Sequence, residues 1–253
     1  MKPIALITGA CGGIGSATIK VLINHGYQVI GLDLILVATE FTLANSDDLT
    51  FYKCDICDLV TNPTKNMDIV RNIRTEIGNR GLKLLVNNAA HQNVKSVEDT
   101  SLMEWQKTMC TNVSAPFALI KEFLPELVSA KGSVCNVASI HAHLTKPGFV
   151  AYSTSKGALV SLTQALSVEL ACKGIRVNAV MPAATKTPML IEGFSGNLDA
   201  MEQLNRVHPI GRCCEPHEIG EFIEFLASNN ASYITGSALP IDGGISHRLH
   251  DPL

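Results

Sequence analysis

Tyr152 and Lys156 stand four residues apart in the run Tyr152-Ser153-Thr154-Ser155-Lys156, within a segment of helical period. On a helix that spacing puts both side chains on one face, a turn apart. A free phenol has a pKa of about 10, too high for an efficient base near neutrality, and a neighbouring ammonium favours the phenolate. The pair reads as a proton-transfer device. Ser139, thirteen residues earlier, ends an apolar β-branched run, where a hydroxyl can face the crevice at the carboxyl edge of a sheet and bond a substrate oxygen. Each signal alone is common by chance; jointly they describe a site able to move a proton on and off an alcohol or carbonyl oxygen. His141 follows Ser139 by two residues and His91 directly follows Ala90. Both are expected on the substrate side, able to bind a polar or anionic group, with an exposed loop position as an even alternative. No metal is expected, because carboxylate or Cys partners are not evident near them.

A second chemistry lies at the N-terminus. Thr8-Gly9-Ala10-Cys11-Gly12-Gly13-Ile14-Gly15 directly follow the first predicted strand and open the first predicted helix. Glycines allow a tight turn and close approach of the backbone to a pyrophosphate, while the helix start presents unpaired N–H groups to its charge. Gly9, Gly12, Gly13, Ile14 and Gly15 are therefore expected to seat a dinucleotide. Asp33, 18 residues beyond Gly15 at the end of the second strand, can accept both ribose hydroxyls of an adenosine. Its charge repels a 2′-phosphate, and neither Cys11 nor Leu34 supplies a compensating cation, so NAD is favoured over NADP. Asp55, with Ile56 beside it, follows the third strand and is expected near the adenine; an exposed turn carboxylate is the alternative.

These residues together resemble the short-chain dehydrogenase/reductase family, and the resemblance spans almost the whole chain. Gly9, Gly13 and Gly15 match its glycine motif, and Asn87-Asn88-Ala89-Ala90 resemble its Asn-Asn-Ala-Gly segment, with Ala90 in place of the Gly. Because Gly12 precedes Gly13, the loop also fits the extended, epimerase-type branch, and the glycines by themselves do not choose between branches. Chain length, the Asn87 segment and the Ser139, Tyr152, Lys156 set favour the short single-domain dehydrogenase branch. The resemblance implies that Asn87 and Ala89 line the cofactor ribose, and that Pro182 and Thr187 hold the nicotinamide side within a Pro-Gly-x-x-x-Thr motif, which here has Ala183 in place of the Gly. It implies that Asn112 is a fourth active-site residue holding a water near Lys156. Lys156 would also bind the nicotinamide ribose. Gly211-Arg212-Cys213-Cys214-Glu215-Pro216 and Asp242-Gly243-Gly244 look like family turns.

The elements that must carry these groups alternate regularly. Predicted strands span residues 4–8, 28–32, 50–54, 82–86, 132–138, 176–181 and 237–241; predicted helices span 14–25, 63–78, 102–129, 151–173 and 217–227. Strands separated by helices imply an α/β doubly wound Rossmann fold, a seven-stranded parallel sheet with helices on both faces. No linker or repeat divides the chain, so residues 1–253 are expected to form one domain. The stretch 183–210 mixes Met189, Leu190 and Phe194 with Gly193, Ser195, Gly196 and Asn197 and reads as a candidate substrate lid. Helices 102–129 and 151–173 are apolar around much of their circumference and need a second buried surface; the resemblance implies a homotetramer through these two helices, with a dimer as the alternative.

Composition sets the outer limits. The 253 residues carry 20 basic and 23 acidic side chains, a formal net charge of −3, so no basic excess exists to hold nucleic acid by counterion release. Apolar residues make up 46%, which excludes a disordered chain, yet no apolar run approaches the roughly 18 residues of a spanning helix. The first apolar run is cut by Thr8 and Gly9 and is too short for a signal peptide, so a cytoplasmic protein with no membrane partner is expected. The eight cysteines are then expected as reduced thiols. The resulting reading is an NAD-dependent oxidoreductase acting on a secondary alcohol of the polyol, sugar or hydroxy acid class, or on its ketone. A non-catalytic NAD(H)-binding sensor and an epimerase or dehydratase with retained NAD are the alternatives.

Overall fold

The computed structural model describes residues 1–35, 48–194 and 197–249. Seven strands, β1 (Ile4–Thr8), β2 (Gln28–Asp33), β3 (Leu49–Lys53), β4 (Leu84–Asn87), β5 (Ser133–Val137), β6 (Arg176–Pro182) and β7 (Ala238–Ile241), form one sheet in the order β3-β2-β1-β4-β5-β6-β7. All six pairings are parallel. The chain leaves β1 in one direction to reach β2 and β3 and returns to its other side with β4, so the switch point lies between β1 and β4, where open α/β sheets form their ligand crevice.

The two-residue period of the strands explains the two-sided core. Ile4 and Leu6 of β1 join the cluster containing Ile30, Leu85 and Val134, whereas the intervening Ala5 and Ile7 join Val29, Val86 and Val137 on the opposite face. The first face is covered by α3 (Met67–Ile77), α5 (Ala115–Glu122) and α7 (Val150–Ala171), through residues such as Ile73, Leu119 and Leu166. The second is covered by α1 (Gly13–Asn24) and α10 (Pro216–Ala227), through Ile19, Leu22, Ile219 and Ile223.

The structure departs from the expected elements where local chemistry interrupts a period. The single helix expected over 102–129 is three helices, α4 (Leu102–Met109), α5 and α6 (Leu124–Ala130), with a π-helical turn at Cys110–Ser114 between the first two. Prolines at the first turns of α5 and α6 cannot donate the N–H that a continuous helix would need. The helix expected from Pro63 begins as a 3₁₀ turn, Pro63–Asn66, and a short α2 (Asp58–Thr61) precedes it. Within 183–210 two helices form, α8 (Pro188–Gly193) and α9 (Leu198–Val207); residues 195 and 196 of that stretch lie outside the described residues. Among the described residues no helix is long and apolar enough to cross a membrane.

Candidate active site

The loop after β1 is shaped by what its glycines exclude. Gly9 has φ +64°, a left-handed conformation favouring glycine, and a Cβ there would lie 2.8 Å from Ala89 Cα. A Cβ on Gly15 would lie 2.1 Å from the Gly9 carbonyl oxygen, and one on Gly13 would lie 2.7 Å from Thr187 Cβ. The loop is thus folded back on the start of α1 as tightly as backbone permits. Gly12 caps that helix without a side-chain bond, and no acidic residue occupies its first turn. The positive end of the helix dipole therefore faces the crevice without a resident counter-charge. Across the switch point, Thr8 Oγ1 accepts from the Asn88 and Ala89 N–H groups at 3.1 and 3.0 Å, while Asn88 Nδ2 donates to the Thr8 and Gly9 carbonyls at 3.0 and 2.9 Å.

Asp33, the last residue of β2, accepts from Cys11 N at 2.9 Å through Oδ2 and from Ile35 N at 3.2 Å through Oδ1. One cleft of about 1570 Å³ is lined by Gly9, Gly12, Gly13, Ile14, Asp33, Asp55, Ile56, Ala89, Pro182 and Thr187, and also by Ser139, Tyr152, Lys156, His91 and His141. Gly15 and Asn87 are not among its lining residues. Gly15 acts through the close packing just described. Asn87 does not take the ribose-lining place expected of it: its Nδ2 donates to Asn136 Oδ1 at 2.7 Å and its side chain is buried. The neighbouring Asn88 lines the cleft instead. Strand alternation is the reason, because residues 87 and 88 point to opposite sides.

At the other end, Ser139 stands just past β5 with extended backbone and caps a 3₁₀ turn by accepting from His141 N at 3.2 Å. Its hydroxyl donates to the Pro182 carbonyl at 3.4 Å and faces the phenol of Tyr152, which enters α7 in its first turn. Lys156, a turn later, is 2% exposed; its Nζ donates to the Val137 carbonyl at 2.7 Å and lies 5.6 Å from the centre of the Tyr152 ring. Burial pushes the Tyr152 phenol up to about 12, against the lowering effect of the Ser139 bond, and pushes the Lys156 ammonium down to about 7. Burial thus opposes the lowering of the phenol expected from Lys156. Both groups are withdrawn from water, and desolvation disfavours the charged form of each.

Asn112 lies within the π-helical turn and is fully buried. Its Oδ1 accepts from His91 N at 2.7 Å, and its Nδ2 donates to His91 O at 3.0 Å and to Ser155 Oγ at 2.8 Å. Its side chain is spent on protein groups and does not line the cleft. In this structure that side chain is a clamp that joins the loop after β4 to α7. π-turns of this kind are frequent at functional sites.

His141 stacks on Phe149 with ring centres 4.6 Å apart and meets Tyr152 edge-on at 6.0 Å. Burial and then Lys146 lower its pKa; burial and then Lys107 lower that of His91. His143 is exposed and outside the cleft lining. Sequence reasoning missed Asn88, Phe149, Ser155 and His208 as contributors. A polar residue beside a strand end or inside an apolar helix was the available signal for Asn88 and Ser155; His208 carried none.

The residues fit a dinucleotide: a glycine cradle that a Cβ would fill, an uncapped helix start and a carboxylate held at the cleft edge. A family model described as enoyl-(acyl carrier protein) reductase matches residues 9–246. The chain is 33% identical over 246 residues to a 2,5-dichloro-2,5-cyclohexadiene-1,4-diol dehydrogenase of Sphingobium indicum, covering 95% of this chain and 96% of that protein. It is 31% identical to a cyclohexanol dehydrogenase of an Acinetobacter species, covering 97% and 95%. A solved structure of 4-hydroxyisoleucine dehydrogenase complexed with NADH superposes with a TM-score of 0.88 at 28% identity, covering 98% of this chain and 100% of that one. The chain belongs to the short-chain dehydrogenase/reductase family.

Proposed function

We propose that this chain transfers a hydride between NAD and a secondary alcohol carried on a compact ring, or the corresponding ketone. The reading is carried by one observation: Tyr152, Ser139 and Lys156 share a single cleft with the glycine loop and Asp33. Gly12, Gly13 and Ile14 would take the pyrophosphate, Asp33 the adenosine ribose, Asp55 and Ile56 the adenine side, and Ala89, Pro182, Thr187 and Lys156 the nicotinamide half. When bound, the nicotinamide supplies the hydride acceptor and, oxidised, a positive charge near Tyr152. In the oxidative direction Tyr152 removes the alcohol proton and Ser139 holds the same oxygen. Lys156, with its pKa near 7, gives and takes a proton at working pH and steadies the phenolate. Asn112 positions the backbone of His91 and the start of α7.

Asp33 supports NAD over NADP, since a 2′-phosphate would meet its charge with no cation in the adjoining loop positions. Trp105, Phe149, Met189, Leu190 and Phe194 in the cleft lining support a compact apolar ring, in keeping with the ring alcohols and diols named for the relatives. The stretch 183–210, which lends Met189, Leu190 and Phe194 to the cleft, is the candidate lid. Leu102 and Met103 on α4, Phe117 on α5 and Val168 on α7 are exposed and support burial against other copies in a homotetramer, or in a dimer.

Absorbance of reduced nicotinamide, followed with NAD and NADP against cyclohexanol, cyclic diols, sugars and hydroxy acids, tests the reading. Stoichiometric reduction of NAD by a ring alcohol is expected. Tight NAD binding with no net reduction or reoxidation across the panel would overturn it in favour of a sensor.

A further inference from the structure

Cys57 and Cys110 both line the main cleft, and the chemistry above uses neither. Cys57 immediately precedes α2, and Cys110 opens the π-helical turn between α4 and α5. The fold brings these distant positions together. Cys57 Sγ lies 3.2 Å from the Oγ1 of Thr111, the residue that follows Cys110, and the Cys110 thiol faces that of Cys57. Both thiols are free, and both residues are part-exposed. Cys57 also belongs to the turn assigned above to the adenine side: its N–H donates to Asp55 Oδ1 at 2.9 Å, while Asn66 Nδ2 donates to the Asp55 carbonyl at 3.1 Å. The thiol pair therefore joins that turn to the π-turn carrying Asn112.

We propose that Cys57 and Cys110 are a redox-active pair, and that their disulfide, formed by a hydroperoxide, weakens binding of the dinucleotide. This rests on the reading of Asp55 and Ile56 as the adenine side. In the first step the Cys57 thiolate attacks one oxygen of hydrogen peroxide; the O–O bond breaks, the departing hydroxide takes up the proton that the thiol released, and Cys57 becomes a sulfenic acid. In the second, the Cys110 sulfur attacks the Cys57 sulfur, the S–O bond breaks, and the departing hydroxide leaves as water with the Cys110 proton. Two thiols and one peroxide give one disulfide and two waters. Burial first, and then contact with Cys57, push the Cys110 thiol up to about 12, which assigns it the second role. It keeps its proton until Cys57 is a neutral sulfenic acid and the repulsion between the two sulfurs is gone. A disulfide demands sulfurs about 2.05 Å apart, so closure draws residues 55–57 onto the π-turn and displaces the wall that Asp55 and Ile56 form. The coupling is reciprocal: a seated dinucleotide holds that wall in place and disfavours the bond.

The test treats the reduced wild type, Cys57→Ser and Cys110→Ser with hydrogen peroxide, with and without saturating NAD. Peptide mass mapping should find residues 57 and 110 linked in the wild type alone, and dithiothreitol should release the link. NADH affinity, measured by calorimetry, should weaken by at least about tenfold on oxidation of the wild type and return with dithiothreitol. Either Ser variant, treated alike, should keep its affinity. Saturating NAD should slow the linkage. A linked pair with unchanged NADH affinity would overturn the inference, as would oxidation of single cysteines without a link, or a link through Cys54 that survives Cys57→Ser. In those cases the reduced wild type still binds cofactor and turns over, so the oxidoreductase reading stands. A reduced protein that binds no NADH would overturn that reading and the inference with it.

Discussion

The two ends of the cleft are built on opposite principles. At the dinucleotide end the side chains that shape the loop are engaged by the protein itself: Asp33 holds two backbone N–H groups, and Asn88 and Thr8 tie β1 to β4 with four hydrogen bonds. At the reacting end two imidazole nitrogens, His141 Nδ1 and His208 Nε2, are buried without partners, and Tyr152 and Lys156 have their pKa values driven in opposite directions by burial. One end is a mould fixed before a ligand arrives. The other carries unsatisfied buried polar groups, which are costly to the fold. Binding and chemistry should therefore separate under mutation.

The largest separation is expected from Tyr152→Phe, which should lower kcat by roughly 10²- to 10⁴-fold while leaving NADH affinity nearly unchanged. Steady-state kinetics and fluorescence titration measure the two quantities, and surviving turnover would remove Tyr152 from the chemistry. Gly15→Ala strikes the opposite end, since its Cβ would sit 2.1 Å from the Gly9 carbonyl. A cofactor Kd at least about tenfold weaker is expected by calorimetry, in keeping with lost close approach of the loop. An unchanged Kd would show that the loop is not a rigid mould.

Asp33→Ala should shift the proposed NAD-to-NADP ratio of kcat/KM toward NADP by about 10- to 100-fold, the equivalent of one charge-assisted hydrogen bond. A ratio that stays fixed would move discrimination elsewhere. Asn112→Ala is expected to cost about 1–3 kcal/mol of stability by removing its bonds to the part-buried His91 backbone and to Ser155, read as a fall in denaturation midpoint. Its effect on kcat should be smaller than that of Tyr152→Phe.

The smallest effect concerns pH. Burial pushes the Lys156 ammonium down to about 7, below the value of about 10.5 for a lysine in the unfolded chain. Between those values the unfolded chain binds a proton that the folded one refuses, so stability rises with pH across this window; below 7 both states are protonated and the desolvation penalty is at its full, constant size. Denaturant midpoints of Lys156→Met compared with wild type should show a flatter slope from pH 7 to 10; parallel slopes would mean that Lys156 is not desolvated in solution.

Adjacent residues and short spacings carried what the amino-acid order determined. The alternation of apolar strands with amphipathic helices specified a parallel sheet, and Gly9 to Gly15, Asp33 and the Tyr152–Lys156 pair were readable because each sits on one element or at its edge, where period and turn chemistry act locally. Folding in three dimensions decided the rest. Asn87 gave way to Asn88 because strand alternation turns one inward to Asn136 and the other to the cleft. Asn112 became a clamp because a π-turn, tied to residues 21 and 43 positions away, aims it at His91 and Ser155. The displaced pKa values and the unpaired His208 nitrogen depend on burial by elements distant in the chain. Desolvation is a property of the assembled surroundings, which no local run of residues encodes.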